Sequence, residues 1–213
     1  EGDMKDKLLE RINALINKDK LGEWDTNFLH SLMGQLEKRG TLSEKQLAVL
    51  SKVEARYTVE AVMARIQWDE NYDQEKREIA RVCAEYYLPS GYFRDLSHRI
   101  LNEKDYVPTE KQWKAICCNK YAMKVRESAF GEAKFSLGSM VQLRKSCPGG
   151  GVSLLRYSQR IGTDLAVVIS NDEAIVSSAK GNRRYKILFV GDSTPQFAEE
   201  RDIKKLPKKL QKK

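Results

Sequence analysis

The spacing of apolar residues changes once along this chain of 213 residues. Up to about Glu127 they recur every three to four positions, which is typical of helices that bury one face. From about Phe135 they alternate with polar residues in short runs rich in β-branched and aromatic side chains, which is typical of half-buried strands. Because each pattern fits only one kind of element, the sequence predicts an α+β protein, helical first and β-sheet afterwards.

The helical part is predicted to be an all-α helical bundle. Seven amphipathic stripes follow one another, and the short connections between them fit compact packing of neighbouring helices. The first apolar residues of these stripes are Leu8, Phe28, Leu47, Val62, Ile79, Phe93 and Trp113.

A short phrase occurs twice in this part, as Ser43-Glu-Lys-Gln46 and as Thr109-Glu-Lys-Gln112. Each copy places a hydroxyl residue three positions before a glutamine, which predicts a capping box at the start of a helix. A similar helical phrase precedes each copy, so a degenerate helix-hairpin repeat near 26–57 and 90–121 would explain both. Two independent capped hairpins remain the alternative, because short matches also arise by chance.

The part after residue 129 is predicted to be a small antiparallel barrel without helices between its strands. The Gly149-Gly150-Gly151 run lacks the lysine and the following helix of a phosphate-binding loop, so it is predicted to be a flexible hairpin tip. The runs that predict strands are SMVQLRK, VSLLRYS, TDLAVVIS, EAIVSS and RRYKILFVG.

The order of glycines and apolar residues in this part also carries a family resemblance. The residues concerned are 138–144, 162–168, Gly181 with 184–189, and 200–203. Together they resemble an SH3-like barrel of the KOW, Tudor or chromo type, over about a third of the chain. The resemblance implies a module appended to a transcription factor or DNA translocase. The helical part bears a faint similarity to phage replication and recombination proteins, on which no prediction depends.

These patterns predict three regions. Residues 1–128 form the helical domain, residues 129–203 form the SH3-like β-barrel, and residues 204–213 form a basic tail. The net charge of +8 is uneven, because residues 1–128 carry 22 basic and 22 acidic side chains, whereas the segment from Arg201 carries seven basic and one acidic. Pro207 interrupts any helix there, so the tail is predicted to be disordered and to bind phosphates through its lysines.

Residues for catalysis or metal binding form no recognisable motif. The four cysteines lack a paired metal-ligand spacing, and Cys117 and Cys118 are too close to serve as paired ligands. Glu132-Ala-Lys134 matches the end of a metal-dependent nuclease signature but lacks an upstream aspartate, so a solvated linker is the better interpretation. The sequence predicts no cofactor and no metal, and it favours a protein that is not an enzyme.

A basic edge on the sheet is the predicted nucleic-acid site. Alternation along the strand places Arg184 and Lys186 on the solvent side, and Tyr157 is predicted to stack on a base. Ordinary surface charge is the alternative interpretation. The predicted nucleic-acid-binding residues are Arg144, Lys145, Arg156, Tyr157, Arg160, Arg184, Lys186, Lys204, Lys205, Lys208 and Lys209.

The function predicted from these observations is that of a non-catalytic nucleic-acid-binding accessory module, directed at the backbone with little sequence specificity. Single-stranded ligand is slightly favoured over duplex, and a larger polymerase, helicase or recombination protein is an expected partner. The cysteine spacing predicts a reduced, intracellular setting, and no apolar run predicts a membrane span. A protein–protein interaction adaptor that uses the helical repeat and the barrel is the alternative function.

Overall fold

A computed structural model of the chain describes residues 2–18 and 21–211. Over these residues the chain forms ten α-helices and one antiparallel sheet of five strands, which confirms the predicted α+β class with helices first. The chain divides into two compact units, Glu1–Glu70 and Asn71–Lys213. The domain boundaries predicted after residues 128 and 203 remain predictions. No helix in the described part of the chain is both long and apolar enough to cross a bilayer.

The first unit consists of helices joined by short connections. Helix α1 (Gly2–Ile16) packs against α2 (Glu23–Arg39), and α2 packs against α3 (Glu44–Arg56). Helix α4 (Val59–Asn71) follows and has no buried residue. The buried apolar side chains come from the predicted stripes, except Leu42, which lies between α2 and α3. They are Leu8, Ile12, Leu15, Leu29, Leu32, Leu36, Leu42, Leu50 and Val53.

Both predicted capping boxes are confirmed. The Ser43 hydroxyl accepts a hydrogen bond from the Gln46 amide at 3.2 Å, and the Gln46 side chain accepts one from the Ser43 amide at 2.9 Å. Thr109 and Gln112 make the same pair of bonds, at 3.1 and 2.9 Å. Duplication of the whole hairpin stays a prediction.

Ser43→Ala is expected to lower the free energy of unfolding by ~1 kcal/mol, because the amide of Gln46 loses its acceptor at the start of α3. Ser51→Ala is the matched control, since Ser51 is exposed within the same helix, where alanine is a better helix former than serine. Denaturant unfolding measures both changes. An equal loss for the two variants would contradict a stabilising cap.

Helix α5 (Gln74–Tyr87) is the centre of the helical layer in the second unit. Helices α6 (Arg94–Asn102), α7 (Glu110–Cys117) and α8 (Lys120–Phe130) all pack against it. Cys117 is buried there and Cys118 is exposed. Val82 of α5 and Val125 of α8 also pack with Ile175, which follows a strand of the sheet. The helical layer and the sheet therefore share buried contacts within this unit.

The sheet has the strand order β4-β3-β2-β1-β5, and every neighbouring pair is antiparallel. Its strands are β1 (Met140–Leu143), β2 (Leu165–Glu173), β3 (Arg184–Phe189), β4 (Gln196–Glu199) and β5 (Ile203–Lys205). The sheet is open in the described structure, with β4 and β5 as its edges. Helix α9 (Gly151–Ile161) connects β1 to β2, and the short helix α10 (Lys208–Gln211) follows β5.

Several predictions about this part are wrong. The run EAIVSS was predicted as a strand, but β2 ends at its first residue, Glu173, and residues 174–178 lie outside any strand. The predicted absence of helices between the strands is also wrong. The run VSLLRYS is not a strand but lies in α9, which packs Leu154, Leu155 and Ile161 against the buried side of the sheet. The disordered segment predicted from Lys204 does not hold for the described residues, because Lys204 and Lys205 belong to β5. Helix α10 begins directly after Pro207, where proline is compatible with a first helical turn. Lys212 and Lys213 lie outside the described residues.

Candidate nucleic-acid interface

Strand β3 has one buried and one solvent-facing side, as predicted. Tyr185, Ile187 and Phe189 are almost completely buried, whereas the residues between them are partly exposed. This alternation follows from the two-residue period of a strand, which places every second side chain in the core. Arg184 and Lys186 therefore share the solvent-facing side of the sheet.

The cross-strand register defines what surrounds these two residues. Lys186 lies opposite Phe197, and Gln142 lies opposite Lys204. We call the solvent-facing side of the sheet the open face. The open face consists of Met140, Gln142, Leu165, Val167, Ile169, Ser170, Glu173, Arg184, Lys186, Leu188, Phe197 and Lys204, and the buried Glu199 lies at its β4 edge. Its centre is apolar, and its basic residues stand at two ends.

Phe197 is the aromatic residue of the open face. Its side chain is 43% exposed, and the Arg184 Cζ atom lies 3.7 Å from the centroid of its ring. The Lys186 Nζ atom lies 5.5 Å from the same centroid. Phe197 was not among the predicted site residues, because a four-residue strand gives little periodic signal. Its position beside Arg184 and Lys186 follows only from the register of β3 and β4.

Two carboxylates reduce the positive charge at this end of the open face. Lys186 Nζ lies 3.3 Å from Glu173 Oε1, and Glu199 lies opposite Arg184 in the register. The Glu199 side chain accepts a hydrogen bond from Arg201 Nε at 3.0 Å. Burial raises the pKa of Glu199, although the charge of Arg201 opposes that shift. The basic pair is thus partly balanced in the free protein.

The structure does not bring all the predicted residues to one surface. Arg156 and Arg160 are exposed on α9, whose apolar side covers the buried side of the sheet, so they do not join the open face. The ring of Tyr157 packs 5.9 Å from that of Phe189, and its hydroxyl donates to Asp192 Oδ2 at 2.6 Å. This bond raises the pKa of Tyr157 and lowers that of Asp192. Base stacking by Tyr157 remains a prediction. The contacts of Tyr157 with Phe189 and Asp192 do not favour it.

The remaining predicted residues lie near β5. Arg144 and Lys145 are exposed after β1, and Arg144 donates from its Nε to the carbonyl of Ile203 at 3.3 Å. Lys204 lies on the open face, and Lys205 lies opposite Val141. Lys208 and Lys209 are exposed on α10. A second basic group therefore gathers at the β5 edge of the sheet.

The glycine run before α9 is an internal contact, so its prediction as a flexible tip is wrong. Asp202 is fully buried, and its carboxylate accepts backbone hydrogen bonds from Gly149, Gly150 and Glu199, each at 2.8 Å. A Cβ atom on Gly149 would lie 2.6 Å from the Glu199 side chain, so this position has no room for one. Because a buried aspartate occupies these amides, they are not open to an external phosphate.

A cleft of about 450 Å³ lies between the end of α8 and the segment before β3. Arg183, 9% exposed, lines it and donates hydrogen bonds to the carbonyls of Ser128, Gly131 and Asn171. Glu132 of the nuclease-like phrase also lines the cleft. Within residues 2–18 and 21–211, no group of three or more His, Cys, Asp or Glu residues is placed to hold a metal ion.

Comparison of the chain with protein-family models, with curated proteins and with solved structures gives no match.

Proposed function

We propose that this protein is a non-catalytic nucleic-acid-binding accessory module that uses the open face as its interface. The observation that carries the proposal is the exposed Phe197 beside Arg184, on a sheet face whose two ends are basic. Lys186 lies at the same end as this pair, and Lys204 lies at the other. Basic side chains bind phosphates of any sequence, so the expected binding is directed at the backbone and has little sequence specificity.

The position of β5 adds to this argument. Lys204 is held in the sheet opposite Gln142, and the lysines of α10 follow a few residues later. The basic C-terminal segment therefore starts from the open face. Since lysines raise affinity without reading sequence, those of α10 would extend the contact that the residues of the sheet begin.

We also propose that the sheet is a small barrel of the SH3-like kind. Three residues, Glu200–Asp202, connect the two edge strands as a single 3₁₀ turn. In a flat five-stranded sheet the edges would be about 19 Å apart. A three-residue 3₁₀ turn rises only about 6 Å, so strong curvature would bring β4 and β5 towards each other.

The setting that we propose is an intracellular replication, recombination or transcription assembly, with a polymerase, helicase or recombination protein as partner. Support comes from the cysteines, which are all free in the structure, and from the basic excess near β5. No cofactor is part of the proposal.

The test is a matched pair of double variants. Arg184→Ala with Lys186→Ala is expected to weaken binding to a labelled oligonucleotide about tenfold at low salt, because two fixed cations leave the open face. Arg156→Ala with Arg160→Ala removes the same charge from α9 and is expected to have a much smaller effect. Fluorescence anisotropy at two salt concentrations measures both. Equal losses for the two variants would contradict an interface on the open face.

Truncation before Lys208 separates the contribution of the C-terminal lysines from that of the sheet. It leaves β5 complete, removes four lysines, and is expected to lower the salt dependence of binding while binding to the open face persists. If truncation abolishes binding and the Arg184 and Lys186 substitutions change nothing, the open face is not a nucleic-acid site.

A protein–protein adaptor is the second candidate function, and one observation favours it. Helix α4 exposes Val59, Met63 and Ile66 at helical spacing, and exposed apolar side chains of this kind are common at protein interfaces. Absence of any nucleic-acid binding at low salt would favour this second function.

A further inference from the structure

We propose that the open face takes single-stranded nucleic acid, and that Phe197 and Arg184 together form the surface on which a base stacks. This inference rests on the proposed function and adds the class of nucleic acid and the residues that contact its bases. The first support is the exposure of the Phe197 side chain. The next residue, Ala198, is only 2% exposed, so β4 buries a small side chain and leaves the aromatic one in solvent.

The geometry of the pair provides the second support. The Arg184 Cζ atom lies 3.7 Å from the Phe197 ring centroid, which is the contact distance of two stacked planar groups. A guanidinium plane stacks on aromatic rings and on nucleic-acid bases alike. Arg184 and Phe197 therefore supply planar surface, and Arg184 adds a charge that a phosphate next to the stacked base would meet.

The apolar centre of the open face provides the third support. Val167 lies opposite both Met140 and Leu188, so apolar side chains form a continuous row across three strands. A single strand can turn its bases onto such a row, whereas a duplex would place charged backbone or polar groove edges against it. The apolar row therefore favours an unpaired strand.

The distance between the basic ends fits a short single strand. Lys186 and Lys204 are separated by three strand spacings and about four residues along the sheet, which corresponds to roughly 20 Å over a flat surface. This span suits a site at the lower end of the ~4–16 nucleotides that single-strand-binding OB folds cover. Phosphates would lie at both ends and bases over the centre.

The experiment compares three labelled probes on the full chain by fluorescence anisotropy. They are a short oligothymidylate, an abasic strand with the same number of phosphates, and a duplex of the same length. The unchanged protein is expected to bind oligothymidylate about tenfold more tightly than the abasic strand, because only the former has bases to stack. Tighter binding of the duplex, or equal binding of the two single strands, would overturn the inference while the proposed function would stand.

Two conservative variants then assign the stacking. Phe197→Leu keeps an apolar side chain and Arg184→Lys keeps the charge, but each removes a planar group. Each is expected to remove most of the tenfold preference for oligothymidylate and to leave the affinity for the abasic strand unchanged. Arg156→Lys on α9 is the control and is expected to change neither affinity.

A purely structural role for the pair gives a different result. If Phe197 and Arg184 only stabilise the edge strand, Phe197→Leu lowers the unfolding midpoint and weakens the binding of all probes equally, which overturns the inference. Failure of the unchanged protein to bind any probe at low salt overturns the proposed function together with the inference.

Discussion

Asp202→Ala is expected to lower the free energy of unfolding of the second unit by about 3 kcal/mol or more. The buried carboxylate accepts three backbone hydrogen bonds, from Gly149, Gly150 and Glu199, and alanine would leave all three amides without a partner. Each buried donor that loses its acceptor costs about 1–3 kcal/mol. Denaturant unfolding, followed by circular dichroism, measures the change.

The matched control is Asp172→Ala. Asp172 is exposed and accepts a hydrogen bond from the nearby Ser170 hydroxyl at 3.1 Å, so Asp172→Ala is expected to change the free energy of unfolding by no more than about 0.5 kcal/mol. Asp202→Asn adds a second comparison, because the amide NH₂ of asparagine would meet a backbone donor where an oxygen now accepts. A change for Asp202→Ala as small as that for Asp172→Ala would show that this contact does not stabilise the sheet.

Arg183→Met is expected to destabilise the second unit by about 3 kcal/mol. The side chain keeps a similar apolar length but loses the guanidinium that donates to the carbonyls of Ser128, Gly131 and Asn171. These bonds join the end of α8 to the sheet, and burial makes the unpaired carbonyls costly. The unfolding midpoint and its denaturant dependence measure the change.

Two further variants separate this role from a general effect of charge. Arg183→Lys is expected to restore only part of the lost stability, because one ammonium group cannot reach carbonyls on both elements as the planar guanidinium does. Arg156→Met removes an exposed arginine from α9 and is expected to change stability by less than about 0.5 kcal/mol. Equal losses for Arg183→Met and Arg156→Met would contradict the bridging role.

The elements that the sequence predicted well are those in which local pattern and burial agree. The caps at Ser43 and Thr109 depend on residues three positions apart, so no distant contact is needed to recognise them. Arg184 and Lys186 lie on the solvent-facing side of β3 because buried and exposed residues alternate along that strand. The two caps and this alternation can therefore be predicted without knowledge of the fold.

Helix α9 shows where local pattern is not enough. Its segment contains adjacent leucines, Leu154 and Leu155, which fit a short buried strand and a helix equally. The glycine run before it takes its structure from Asp202, more than fifty positions later in the chain. A contact over that separation leaves no periodic signal in the sequence.

The candidate site was predictable only in part for the same reason. Arg184 and Lys186 were placed on one face by alternation, but the acids that face them, Glu173 and Glu199, come from two other strands. Phe197 belongs to a strand of four residues, and only its pairing with Lys186 brings it to the open face. The cross-strand register therefore supplied what the sequence could not.

The pairing of β1 with β5 constrains the order of events during protein synthesis. Val141 pairs with Lys205, so the edge of β1 stays without its neighbour until more than sixty further residues have been added. Pairing between such distant segments is slow to form, and an unpaired edge invites association with other chains. The nascent sheet would therefore be completed only after Lys205 has emerged from the ribosome.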